Sequence, residues 1–169
     1  MLNLKIEEAL VSQYNFEMFS ANIYLSMAAW ADSQSLDGVA NWFKVQYTEE
    51  MFHAQKFYDF INERGGRVIV GQLDKPQTDW DSPVAAFENA LHHEGIVTGR
   101  INDLMSLAIE GKDHATAGVL QWFVGEQVEE EANADAIIQK FKLMAGAPGG
   151  LFLIDNELAT RVFTPPPAE

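Results

Sequence analysis

The sequence predicts an all-α protein: a bundle of four long helices followed by a short fifth helix at the C-terminus. Three observations predict it. Four stretches place apolar residues at alternating steps of three and four, the repeat of one helical face. Each stripe is interrupted near its middle by residue types that bind metals. One connection, Gly65 to Asp81, is much longer than the others.

The first helix is expected over Leu4 to Asp32, with the stripe Leu10, Tyr14, Glu17, Ala21, Tyr24, Ala28, and it stops in the turn-forming run Asp32-Ser33-Gln34-Ser35. The second, Leu36 to Arg64, carries Leu36, Val39, Phe43, Gln46, Glu50, His53, Phe57 and Phe60, and Gly65-Gly66 ends it. Ser82-Pro83 starts the third, the serine capping and the proline taking the first helical position. This helix runs from Pro83 to Glu110 on the stripe Val84, Phe87, Leu91, Glu94, Thr98, Ile101, Met105, Ala108. The fourth, His114 to Ala145, reads Leu120, Phe123, Gln127, Glu130, Ala134, Ile137, Phe141, Met144 and ends before Gly146-Ala147-Pro148-Gly149-Gly150. A short helix from Leu151 to Val162 and a disordered tail from Thr164 to Glu169 complete one domain over residues 1–169. If the second and third helices run parallel, their connection must travel the length of the bundle, about 40 Å. Roughly 17 extended residues at about 3.3 Å each can do so.

Residues equally far from the turn of an antiparallel hairpin lie side by side, so the depth of the polar interruptions can be counted. The midpoint of Glu17 and Glu50 falls between Ser33 and Gln34; those of Glu94 with Gln127 and Glu130 fall at Glu110 to Lys112, beside Gly111-Lys112-Asp113. Each pair is therefore roughly 25 Å from its own turn, at about 1.5 Å of rise per residue. One buried glutamate is ordinarily explained by a local partner. Four carboxylates converging at one depth, with no lysine or arginine on the stripes, need positive charge from elsewhere, because an unpaired buried carboxylate costs several kcal/mol. Two divalent cations would balance them.

Composition agrees. With 169 residues, 47% of them hydrophobic, one domain can bury a full core. No apolar run reaches the roughly 18 residues of a membrane span, and the start Met1-Leu2-Asn3-Leu4-Lys5-Ile6-Glu7-Glu8 lacks a signal-peptide pattern, so a cytoplasmic protein is expected, with no membrane partner. Without cysteine, the donors are hard oxygens and one imidazole, a set that suits iron or manganese over copper. A net charge of -14 argues against nucleic acid and for attracting cations.

The set Glu17, then Glu49-Glu50-Met51-Phe52-His53-Ala54, then Glu94, then Glu126-Gln127-Val128-Glu129-Glu130 resembles that of the prokaryotic non-haem ferritins, across essentially the whole chain. Ferritin-like bundles carry di-iron sites in which Glu-x-x-His comes from each of two helices. Here that motif occurs once, at Glu50 to His53, and the matching stretch of the fourth helix is Gln127 to Glu130. The asymmetry resembles the non-haem ferritins and not the bacterioferritins or di-iron oxygenases, in which two histidines hold two firmly bound irons. Met51 follows Glu50 as the haem-ligating methionine does in bacterioferritins, yet non-haem ferritins carry methionine there too, and no haem is expected.

The resemblance implies a ferritin-like four-helix bundle with one long crossover and an intrasubunit ferroxidase centre that oxidises Fe(II) with dioxygen. One iron would be held by Glu17, Glu50 and His53, and a second by Glu94, Glu130 and Glu50 as bridge, with the neutral Gln127 weakening the second position. Glu49, Glu126 and Glu129, sharing Glu130, resemble a third iron site beside that centre, although Glu129-Glu130-Glu131 is also what a solvated face looks like. Tyr24, seven residues beyond Glu17 on the same stripe, is either a core tyrosine or a residue that bonds a ligand or lends an electron. Trp122 resembles a tryptophan near the family's centre and is expected to serve core packing. His92, His93 and His114 are expected at the surface or as caps. The resemblance further implies a shell of twenty-four subunits with 432 symmetry, storing ferric oxyhydroxide. Leu151, Phe152, Leu153 and Ile154 would then line the four-fold axis; a helix packed on its own subunit is the alternative. A di-iron oxygenase or electron-transfer protein and a non-catalytic cage are the other functions considered.

Overall fold

The computed structural model describes residues 2–165. Five helices follow in order: α1 (Leu4–Ser33), α2 (Asp37–Glu63), α3 (Pro83–Glu110), α4 (His114–Leu143) and α5 (Gly150–Leu158). The expected tail falls partly outside this range, since residues 166–169 are not among those described.

Asn3 caps α1, Ser82 caps α3 and Asp113 caps α4, each side-chain oxygen accepting a bond from a first-turn amide. Asp113 also receives both terminal nitrogens of Arg64, at 3.0 and 3.1 Å, which ties the end of α2 to the start of α4. Helix α2 has no capping side chain of its own. Asp155 of α5 serves instead, accepting from the Val39 amide at 2.9 Å.

Antiparallel pairing is read from facing residues. Gln13 meets Arg100 and Ser20 meets His93 across α1 and α3; Gln46 meets Glu130 and Phe57 meets Phe123 across α2 and α4. The long connection is stitched along α1: Glu7 accepts from the Arg67 amide, Asn15 bonds Ile69 and Gly71, Ser26 donates to the Gln77 carbonyl, and Trp80 packs on Trp30. From Glu7 to Trp30 is about 35 Å at 1.5 Å per residue, so the segment does travel the bundle and α3 runs parallel to α2.

The core is divided. One apolar half gathers Tyr24, Met27, Phe43, Phe87 and Ile137; the other gathers Leu10, Phe57, Ile61, Ile101, Leu120 and Phe123. Between them lies a belt of buried polar side chains that includes Glu17, Gln46, Glu50, His53, Glu94, Gln127 and Glu130.

Helix α5 ends four residues before the expected Val162. Asn41 of α2 causes this by donating to the carbonyls of Leu158, Ala159 and Arg161, which draws the chain off the helical path. Ile154 and Leu158 are buried against the subunit itself, whereas Leu151, Phe152 and Leu153 are 46%, 70% and 58% exposed. The seat is close. A Cβ on Gly38 would lie 1.6 Å from the Asp155 carbonyl oxygen, so only glycine lets α5 rest on the first turn of α2.

Candidate metal centre

The belt draws on all four long helices: Glu17 and Tyr24 from α1, Glu50 and His53 from α2, Glu94 from α3, Gln127 and Glu130 from α4. All seven are buried, and contacts across helices link Glu17 to Glu50 and His53, Tyr24 and Gln127 to Glu94, and His53 to Glu130. Donor atoms of Glu17, Glu50 and His53 lie within 4.8 Å of one another, as do those of His53, Glu126 and Glu130. The first group is fully buried; in the second, Glu126 is half-buried.

Two carboxylate oxygens in the belt, Glu17 Oε2 and Glu50 Oε2, are buried without a hydrogen-bond donor. Burial pushes the Glu17 carboxyl well above the ordinary carboxylate range, and the charge of Glu50 adds to it. Burial raises Glu50 likewise, with Glu94 and Glu130 adding. Glu17 and Glu50 approach each other closely, so in the metal-free chain their charges repel where a cation would attract both. His53 Nδ1 stands 3.6 Å from Glu50 Oε2, with the edges of Trp122 and Phe123 fixing its ring. Trp122 is half-buried, its ring centroid 5.5 Å from that of the candidate ligand His53.

Glu94 belongs to neither group. Its Oε1 accepts from the Tyr24 hydroxyl, and its Oε2 accepts from Gln127 Nε2 at 3.1 Å. Burial and the neighbouring carboxylates keep Tyr24 a neutral phenol, its pKa well above the usual value. Glu130 is pushed up to about 8, first by burial and then by Glu94, while Gln46 Nε2 donates to its Oε2 at 2.8 Å. Of the expected third set, Glu126 and Glu130 come together with His53. Glu129 is exposed, and Glu49 is ion-paired with Arg161.

His93 corrects an expectation. It is 6% exposed, its Nε2 is 2.7 Å from Ser20 Oγ, and its ring stacks on Phe16. Burial holds it neutral, with its pKa lowered to about 4. Helix α3 packs on α1 as well as on α4, and the residue before Glu94 turns to α1.

The raised carboxylates set a pH dependence. Folded Glu130 keeps its proton up to about 8 and an unfolded glutamate loses it near 4.5, so between those values the folded chain binds more protons and stability falls as pH rises. His93 acts with the opposite sign between about 4 and 6.5, which leaves 6.5 to 8 as the clean window. The apparent melting temperature of metal-free protein should drop across that window, and saturating divalent metal should remove the drop. A melting temperature that rises with pH there would contradict the carboxylate assignment.

A bundle with a belt of carboxylates and one imidazole defines the class of metal-binding four-helix carboxylate proteins. The chain belongs to the ferritin family: the model of the Ferritin-like domain matches residues 7–144. It is 40% identical over 163 residues to a bacterial non-heme ferritin of Staphylococcus aureus, covering 96% of this chain and 98% of the relative. The same protein of Staphylococcus saprophyticus matches at 40% over equal shares. Among solved structures, an engineered closed form of Archaeoglobus fulgidus ferritin superposes with a TM-score of 0.95 at 48% identity, covering 97% of this chain and all of that one. The open-pore ferritin of the same archaeon gives 0.94 at 47% identity, over 96% of this chain.

Among the described residues, no helix is long and apolar enough to cross a membrane. Sequence reasoning missed Gln13, Arg100 and Arg161. Gln13 stands four residues before Glu17, as Gln46 stands four before Glu50, and that repeated spacing was the available signal. No periodicity marks the arginines, which reach the belt from outside.

Proposed function

We propose that this chain is an iron-storing ferroxidase, binding two Fe(II) ions inside each subunit, oxidising them with dioxygen and passing ferric product to a mineral within a homo-oligomeric shell. The supporting observation is the pair of donorless buried oxygens, Glu17 Oε2 and Glu50 Oε2, beside His53. Hard anionic oxygens favour Fe(III) over Fe(II), so carboxylate ligation makes the substrate iron a better reductant. Glu17, Glu50 and His53 take one iron; Glu94 and Glu130, with Glu50 as bridge, take the other. One electron leaves each iron for a shared dioxygen, and carboxyl protons displaced by the metal are at hand for the reduced oxygen.

Tyr24 holds one oxygen of Glu94 and thereby orients that ligand. Gln127 is a neutral contact to Glu94, which suits a substrate that must leave. Replacing Gln127 with glutamate is expected to slow iron release from the centre roughly tenfold. Stopped-flow chase of the oxidised centre measures it, and unchanged release would remove this role. Glu49, Glu126 and Glu129 with Glu130 are proposed as a third iron site, in which a cation would share Glu49 with Arg161. The exposed Leu151, Phe152 and Leu153 support a subunit contact at α5 in a twenty-four-subunit shell of 432 symmetry. A cytoplasmic location and the absence of haem belong to the same reading.

The test adds Fe(II) aerobically at graded ratios and follows ferric absorbance together with particle mass. Oxidation is expected to continue far beyond two irons per chain as the particle gains mass. Saturation at two per chain without growth would identify a di-iron oxygenase or electron-transfer protein instead.

A further inference from the structure

Each of the two donorless oxygens belongs to a carboxylate whose other oxygen is occupied by a glutamine. Gln13 Nε2 donates to Glu17 Oε1 at 2.7 Å, and Gln46 Nε2 approaches Glu50 Oε1 at 3.4 Å and donates to Glu130 Oε2 at 2.8 Å. Both glutamines are essentially fully buried. Each has its carbonyl oxygen taken by an arginine from another part of the chain: Arg100 Nε donates to Gln13 Oε1 at 2.8 Å, and Arg161 donates to Gln46 Oε1 at 2.9 Å. The arginines are themselves anchored. Arg100 lies over the Phe16 ring and bonds Ser12, and Arg161 lies over the Trp42 ring and bonds the Trp42 carbonyl.

A side-chain amide is nearly symmetric in shape, so its two orientations are separated only by what each end touches. Turned one way, the NH2 group meets a carboxylate; turned the other, the carbonyl oxygen does, and it then repels the carboxylate or competes with it for a cation. A guanidinium carries donors and no acceptor, so it accepts only the first orientation. We propose that Arg100 and Arg161 are positioning residues that lock the amides of Gln13 and Gln46, so that each NH2 group faces the carboxylates and Oε2 of Glu17 and of Glu50 is left for metal. Helical spacing supplies the amide in both cases, four residues before its glutamate; α3 supplies one lock and the segment after α5 the other. The repetition on two helices with unrelated arginines is what separates this from a chance surface contact.

The inference rests on the metal-binding part of the function proposed above and not on oxidation or storage. The test therefore uses Co(II) without oxygen, following its visible absorbance at up to two equivalents per full-length chain. R100M is expected to weaken binding roughly tenfold, in the range that orienting partners of metal ligands ordinarily contribute. R100K, which keeps a donor and a charge, is expected to recover part of the loss. Q13L is expected to weaken binding as R100M does, and the double variant no further than Q13L alone, because both act through one amide. The same cycle applies to R161M with Q46L. Melting of the metal-free variants separates folding from orientation, and R100K serves as the folded comparison should R100M be unstable. Wild-type affinity in R100M and R161M, or additive losses in the double variants, would overturn the proposal. Failure of the wild type to bind Co(II) at all would overturn the metal reading itself, whereas Co(II) binding with no iron mineral would sink storage alone.

Discussion

Replacing Glu50 with glutamine is expected to reduce Fe(II) oxidation roughly 100-fold or more while making the metal-free protein more stable. The two effects share one cause. Glu50 is 1% exposed, its Oε2 has no donor, and two further carboxylates raise its proton affinity beyond what burial does. An amide of the same shape removes that repulsion and cannot bridge two cations. The stabilisation is expected to be about 1–3 kcal/mol, the desolvation cost of a buried polar group without a partner. It should grow with pH, because wild-type Glu50 escapes part of the cost by holding a proton in mildly acidic solution. Stopped-flow iron oxidation and thermal melting at pH 7 and pH 9 measure the two halves. A variant that lost activity and stability together would make Glu50 a structural residue and weaken the metal assignment.

Substituting alanine for Gly38 is expected to unseat α5 altogether. A methyl carbon 1.6 Å from the Asp155 carbonyl oxygen is far inside van der Waals contact, and the obstacle is backbone, which cannot swing aside as a side chain does. Once α5 moves, the Val39 amide loses its acceptor, Ile154 and Leu158 leave the core, and Arg161 is withdrawn from Gln46 and Glu49. Hydrogen exchange over residues 150–163 should rise by orders of magnitude while the middle turns of α1 to α4 keep their protection. Unchanged exchange in that segment would mean that α2 and α5 can separate by the width of a methyl group at little cost.

Much of this architecture is legible in the residues because a helix buried on one face repeats its apolar positions at 3.6. Every stripe position named in α1 is buried, as are those of α2 apart from Leu36. Helix α3 was less legible. Ala86, Ala90, Val97 and Leu104 are buried beside the expected stripe because α3 meets two neighbours, and alanine carries little signal of which way it faces. The grouping of Glu17, Glu50 and His53 could be counted from hairpin midpoints, since antiparallel geometry converts sequence distance into height. Arg161 could not be found that way: its place follows from Asn41 capturing three carbonyls at and just beyond the end of α5, a contact between residues more than a hundred positions apart. His93 was obscured for a related reason, its burial depending on Ser20 of a helix that approaches only in the folded chain.

The polar belt that parts the two apolar halves places mutually repelling carboxylates midway along the molecule, where helices far from their frayed ends would otherwise cohere best. Two cations bound there would together tie segments of all four helices, so opening the bundle at its waist would require letting ions go. The lifetime of the folded subunit should then be set by the supply of free metal around it, lengthening as supply rises and shortening when a chelator competes.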